Sequence, residues 1–351
     1  MKANIKKLPK NEIEIEGELE IEAFESYFDR ALKFLGENLK LDGFRKGKIP
    51  ESVLLANIPE IKILEEMAQM ALNEHYPKII EEEKLDVIGR PEISITKLAR
   101  KNPFGFKIKT AVMPEIKLPD YKSIAKKTVS GITEEEKKIV VSDEDLENTI
   151  MDIRKSRAPK KHITKGVKEK ETTDTATTEE LPPFNDEFVK ALGPFEDTED
   201  FKIKLRENIK LEKENQLKEK TRLTTMEKIM DETEIDMPDI LIEVELDKIL
   251  YRMESDITQM GLKFEDYLKH LNKTKEDLRK EFRTDALKKA KLGLTLNEIA
   301  KIEKIVAKEE EVAKEVANIL EHYKDADPER AKLHAENVLT NEKVFQFLES
   351  Q

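Results

Sequence analysis

The sequence predicts an α+β protein: an N-terminal α+β domain followed by an elongated all-α domain with helical arms. Residues 12–21 alternate strictly, with Ile13, Ile15, Leu19 and Ile21 on one side and Glu12, Glu14, Glu16, Glu18 and Glu20 on the other, the pattern of a strand with one wet face. From Leu181 onward the spacing of apolar residues is helical almost throughout. Charged residues (39%) slightly outnumber hydrophobic ones (38%) in the 351-residue chain, a balance that fits a protein with much surface and little core.

The strand over 12–21 leads into an amphipathic helix over about 22–40, with Phe24, Phe28, Ala31 and Leu35 on one stripe. After a loop over 41–50, a short helix starts near Pro50, which suits a first helical position. A helix over 60–83 turns Ile61, Leu64, Ala68, Ala71 and Leu72 inward. Two strands, near 92–98 and over 104–113, close an α+β module at Pro114. Residues 115–141 read as extended, because Pro114 and Pro119 interrupt helix and Ile139-Val140-Val141 favours strand. Ser142 followed by Asp143, Glu144 and Asp145 starts a helix that ends before Pro159. Residues 159–180, rich in Lys and Thr and poor in large apolar residues, read as a flexible linker. Helices are then predicted at about 184–192, 199–232, 239–260, 264–271, 275–304, 308–323, 328–339 and 341–349, punctuated by Gly193-Pro194, Pro238, Gly261 and the N-cap Thr274.

Composition removes several chemistries. There is no Cys, which excludes disulfides, thiolate metal sites and cysteine nucleophiles, and the five His show no paired ligand spacing, so no metal and no cofactor is expected. No apolar run reaches the length of a membrane span and no signal-peptide pattern opens the chain, so a cytoplasmic protein without membrane attachment is expected. The net charge of −12 opposes binding to nucleic acid except through a local basic patch, and no DNA binding is expected.

The most specific segment supplies such a patch. Gly43-Phe44-Arg45-Lys46-Gly47-Lys48-Ile49-Pro50 brackets an aromatic and two cations with glycines that permit a sharp turn. The plainest reading is a solvated inter-helix loop. A nucleotide-binding phosphate loop fails on spacing, and Ile49 stands where Ser or Thr should meet magnesium.

The segment also matches, at every defined position, the Gly-Phe-Arg-x-Gly-x-x-Pro signature of trigger factors, ribosome-associated chaperones, and its setting between helices is similar to that family's. Leu181-Pro182-Pro183-Phe184-Asn185-Asp186-Glu187-Phe188 resembles the family's re-entry into its C-terminal domain, and Pro238 the start of its first arm. The resemblance implies a ribosome-binding domain over 1–114, an extended arm and linker helix over 115–158, and a helical substrate-binding chaperone domain over 181–351. It implies that Phe44, Arg45 and Lys46 dock on protein and rRNA of the large ribosomal subunit near the exit tunnel, with Gly43, Gly47, Lys48 and Pro50 shaping the loop. Unfolded nascent polypeptides are the second implied partner, and a weak homodimer off the ribosome is compatible with it.

Trigger factors usually carry an FK506-binding-type prolyl-isomerase domain where this chain has only the linker 159–180, too short for a domain of ~100 residues. No isomerase activity is therefore expected, and the chain is not expected to be an enzyme. An ATP-independent chaperone that prevents misfolding and aggregation of nascent chains is expected to offer spread apolar contacts. The candidates are Met226, Met230, Met253, Met260, Phe264, Tyr267, Phe345 and Phe347, with flexible Met side chains suited to varied clients. The bland alternative for each is helix–helix packing. The rival function is an RNA-binding or ribosome-assembly factor that holds no clients.

Overall fold

The computed structural model describes residues 2–41, 44, 49–133, 136, 138–158 and 181–351, so the predicted linker over 159–180 lies outside the described residues. The chain forms two compact units, each discontinuous in sequence: residues 1–119 with 232–304, and residues 120–231 with 305–351.

The first unit begins with a four-stranded antiparallel sheet in the order β1-β2-β4-β3, from β1 (Lys2–Leu8), β2 (Glu12–Leu19), β3 (Val87–Lys97) and β4 (Phe104–Val112). The alternation of β2 does what its sequence predicts: Ile13, Ile15 and Leu19 are buried opposite Thr110, Ile108 and Phe104. On the other face, Glu14 and Glu16 stand opposite Lys109 and Lys107, with ion pairs Lys109–Glu12 at 2.8 Å and Lys107–Glu14 at 3.4 Å. Gly17 sits opposite Phe106, and a Cβ there would overlap the Phe106 ring, so the aromatic lies across β2 only because that position has no side chain.

Helices α1 (Ile21–Glu25), α2 (Phe28–Asn38), α3 (Glu51–Asn57) and α4 (Glu60–Glu82) complete this core, in which Phe24 stacks on Phe104 with ring centroids 4.9 Å apart. Burying each such side chain contributes about 1.5–3 kcal/mol. The single helix predicted over 22–40 is instead two, separated at Ser26-Tyr27. Ile21 is not on the strand's inward face but exposed in α1, because the chain turns into helix one residue earlier. Ile61 is likewise exposed, while Leu64, Ala68, Ala71 and Leu72 are buried. β1, rich in Lys and without apolar alternation, was not predicted.

The rest of the first unit is helical: α9 (Asp239–Gln259), α10 (Phe264–Leu271) and α11 (Lys275–Glu303), entered through a short β5–β6 pair, Ile116–Lys117 with Glu234–Ile235. Pro238 caps α9, and Gly261 closes it with φ +78°, a conformation that favours glycine. Thr274 caps α11 in a capping box with Asp277. α9 and α11 meet through Ile242, Leu246 and Ala286 and through an antiparallel charge ladder. Arg283 reaches Asp239 and Glu243 at 2.6 and 2.8 Å, and Arg279 reaches Glu243 and Asp247 at 2.8 and 2.7 Å. The β1–β2 turn joins the same ladder, Lys10 to Asp239 at 2.5 Å, while the Asn11 N–H donates to the Asp236 carboxylate at 3.1 Å.

The second unit holds α5 (Tyr121–Ser130), α6 (Asp143–Ser156), α7 (Asp186–Leu192), α8 (Thr198–Glu232), α12 (Glu309–His322) and α13 (Pro328–Glu349). The expectation of extended chain over 115–141 is wrong at α5: Pro119 precedes the helix rather than breaking it, and the Asp120 side chain accepts the Ser123 N–H at 3.1 Å as a cap. Ile139-Val140-Val141 forms no strand; Val141 is buried against Leu146 and Ile209 while Val140 is exposed. The helices predicted at 328–339 and 341–349 are one, α13, since Thr340-Asn341 contains no residue that breaks a helix. Arg222 of α8 binds Glu342 at 2.7 Å and also Glu349 on α13, tying the two helices together.

At the start of α6 the Ser142 hydroxyl accepts the Asp145 N–H at 3.1 Å, and the Asp145 carboxylate accepts the Ser142 N–H at 2.9 Å and the Lys213 ammonium at 2.6 Å. The Lys213 hydrogen bond first, and the Ser142 bonds next, pull the Asp145 carboxyl down to about 2. A carboxyl depressed in the folded state stabilises fully above its unfolded value and loses that contribution as pH falls toward the folded one. The stabilisation from Asp145 should therefore be present at neutral pH and disappear between about pH 4 and pH 2. Urea midpoints measured across that range should fall more steeply for the native chain than for Asp145→Asn; equal slopes would show that this carboxylate contributes nothing.

Candidate functional site

The segment 41–50 leaves and re-enters well-packed structure. α2 is fixed at its start by Tyr27, which is buried and donates its O–H to Glu74 of α4 at 3.0 Å. Burial first, and then the bond to Glu74, push the Tyr27 hydroxyl up to about 12. Arg100 reinforces the same end, binding Glu25 at 2.8 Å and lying 3.6 Å above the Phe28 ring. On the far side, Ile49 is buried in the core and Pro50 caps α3, its carbonyl accepting the Val53 and Leu54 N–H groups at 3.0 Å each. Gly36 of α2 lets Leu54 come close; a Cβ there would stand 2.8 Å from the Leu54 methyl. A shallow cavity of about 190 Å³ lies between α2 and α3 at this base.

Of the loop residues singled out in the sequence, Phe44 and Pro50 are described. Gly43, Arg45, Lys46, Gly47 and Lys48 lie outside the described residues. Phe44 is 42% exposed, and its N–H donates to the Leu41 carbonyl at 3.2 Å. Phe44 is thus open to solvent between Leu41, which packs against the core, and buried Ile49; Phe34 of α2 is also open, at 47%.

The eight candidate client residues separate by environment. Met226 is 2% exposed and Phe264 is 6% exposed, so both supply core rather than open surface, contrary to expectation. Phe264 lies among Leu250, Ile257, Leu268 and Leu278, with Met253 and Tyr267 half-buried against the same cluster. Met230 is half-buried. Phe345 and Phe347 are half-buried beneath cations, Arg222 at 5.0 Å and Lys122 at 5.4 Å from their ring centres. Met260 is open, 78% exposed at the end of α9.

Sequence reasoning missed Tyr251, 77% exposed, and the exposed Val244, Leu262 and Leu271 on the same helical elements. A signal was there. The core stripe of α9 runs through Ile242, Leu246, Leu250 and Ile257, and Val244 and Tyr251 fall out of its register. In the second unit α12 and α13 enclose a groove of about 890 Å³, floored by Val312, Ala313 and Val316 and rimmed by Glu309, Glu329 and Glu336. Among the described residues no group of three or more His, Asp or Glu could hold a metal ion, and no helix is long and apolar enough to cross a membrane.

Two family models match the chain: the bacterial trigger factor protein over residues 1–153, and the bacterial trigger factor C-terminus over residues 197–348. The chain belongs to the trigger factor family. That makes it a ribosome-associated chaperone by family. Among curated relatives, the trigger factor of Caldicellulosiruptor saccharolyticus is 26% identical, with 92% of this chain and 89% of the relative covered. The trigger factor of Clostridium tetani is 23% identical over 99% of this chain and 98% of the relative. That alignment spans 431 positions against a chain of 351 residues, so the relative carries residues opposite which this chain has none. A solved structure of the trigger factor chaperone, from work on promiscuous substrate recognition in folding and assembly, superposes with a TM-score of 0.56 at 18% identity and full coverage of both chains, which establishes the trigger factor fold.

Proposed function

We propose that this chain docks on the large ribosomal subunit beside the exit tunnel through the Phe44 loop and holds unfolded nascent chains without ATP. The reading rests on Phe44, an aromatic exposed between Leu41, which packs against the sheet-domain core, and buried Ile49, and followed in sequence by Arg45 and Lys46. An aromatic beside cations suits a surface of mixed protein and RNA: the ring buries apolar area and the cations meet phosphates. Family membership over most of the chain supports it.

Client holding is assigned to the exposed apolar side chains, Tyr251, Met260 and Leu262 foremost. Single exposed contacts are weak, and their spread gives release without a nucleotide cycle. Docking beside the emerging chain raises its effective concentration, which makes weak contacts sufficient. We further infer that the chain is not a prolyl isomerase, because the interval between the two family matches, residues 154–196, cannot house a further domain of ~100 residues.

Combined Phe44→Ala, Arg45→Ala and Lys46→Ala should weaken ribosome co-sedimentation at least about tenfold, and binding of the native chain should fall with added salt. Aggregation suppression in solution should be unchanged; a triple variant that still sediments with ribosomes defeats the docking assignment. An RNA-binding factor without clients would sediment normally and suppress no aggregation.

Combined Tyr251→Ser, Met260→Ser and Leu262→Ser should leave thermal stability within about 0.5 kcal/mol while raising severalfold the chaperone concentration needed to keep an unfolded test protein soluble. Full suppression by this variant would move client holding elsewhere.

Refolding of a proline-limited test protein should proceed at its uncatalysed rate in the presence of the chain. Acceleration beyond simple holding would reveal an isomerase.

A further inference from the structure

We propose that Met260 is a reversible oxidation site through which peroxide weakens client holding; this rests on the client reading above. Three observations carry it. The chain has ten Met and no Cys, so thioethers are its only oxidisable sulfur. Among the described residues Met260 is 78% exposed, against 40% for Met113 and 38% for Met151, while Met67 and Met226 are buried. Leu262, two residues on in the turn that follows α9, is also exposed, at 55%.

The backbone there is stable without the side chain. The Met260 N–H donates to the Asp256 carbonyl at 3.1 Å, the Gly261 N–H to Thr258 at 2.9 Å, and the Leu262 N–H to Ile257 at 3.1 Å, which closes α9 by main-chain bonds alone. Oxidation at Met260 therefore alters a surface and leaves the fold intact, whereas oxidation at Met226 would put a polar sulfoxide into a core.

In the step itself the sulfide sulfur attacks the distal oxygen of a hydroperoxide. The O–O bond breaks, an S–O bond forms, and the peroxide leaves as water or an alcohol. Sulfur loses two electrons and the peroxide gains them. The product is polar and accepts hydrogen bonds, so it no longer offers a soft apolar contact. Reduction by two thiols through a sulfoxide reductase returns the sulfide, a disulfide and water, which makes the change reversible.

The test uses the full chain. Brief hydrogen peroxide treatment followed by peptide mass mapping should show oxygen added at Met260 at least about fivefold faster than at Met113 or Met151. Aggregation suppression should fall severalfold and return after treatment with methionine sulfoxide reductases and a dithiol. Met260→Leu, compared before and after the same peroxide treatment, should show no fall. Faster oxidation at another methionine, or an equal fall in Met260→Leu, overturns the proposal. Selective oxidation at Met260 with no loss of suppression also overturns it. In that case the combined Tyr251→Ser and Leu262→Ser variant separates the two failures: weakened suppression leaves the client reading standing, and full suppression removes both.

Discussion

Where α9 packs on α11, only one stripe of each helix is buried. In α9 that stripe is Ile242, Leu246, Leu250 and Ile257, while Val244 and Tyr251, outside it, are 44% and 77% exposed. The core between α9 and α11 is correspondingly narrow, and it is flanked by the ladder of Asp239, Glu243 and Asp247 against Arg283 and Arg279. Hydrogen bonding to Arg279, ahead of Arg283, holds the Glu243 carboxyl below its usual range. Each such half-exposed pair contributes only about 0.2–1 kcal/mol, so the ladder fixes the register of the hairpin more than it stabilises it. Order and open apolar surface thus come from the same arrangement of α9 and α11.

The sheet domain solves the opposite problem. It buries large aromatics, Phe24, Phe104 and Phe106, in a full core and leaves Phe34 and Phe44 exposed. A segment that, on the function proposed above, presents a side chain to a large partner needs fixed ends. Here the ends are Leu39 and Leu41, packed against the core, on one side and Ile49 with Pro50 on the other. Lys10 and Asn11 then connect this domain to the helical hairpin at Asp239 and Asp236. Asp239 is shared by Lys10 and Arg283, and the hydrogen bond to Lys10 is the chief cause of its lowered pKa.

Much of this was legible in residue order because local signals agreed with the final packing. The strand alternation of 12–19, the caps at Ser142 and Thr274, the Pro238 start and the Gly261 stop all act over a few residues and survive in the fold. The misses share a cause: they depend on partners distant in sequence. β1 is a strand because β2 offers it an edge, not because Lys-rich residues 2–8 favour one. α5 is fixed by packing on α13, two hundred residues away, against the extended reading its flanking prolines suggested. Met226 and Phe264 looked like surface contacts on composition, and burial is a property of neighbours that composition cannot name. The loop motif was read without structural help, and of its aromatic and cationic residues only Phe44 is placed, facing solvent.

On the function proposed above, the narrow packing of α9 on α11 also constrains how clients are held. Tyr251, Met260 and Leu262 are open to solvent on and just after α9. Contacts of this kind cost little order in the client and discriminate weakly among sequences, because affinity grows with the number of apolar groups that happen to touch. On that reading exchange is fast, and retention comes from proximity instead of tight binding. That places unusual weight on the few most exposed groups. When holding is the sum of small terms, converting one soft thioether into a polar sulfoxide removes a measurable share, while the folded core, whose sulfur is shielded, stays as it was.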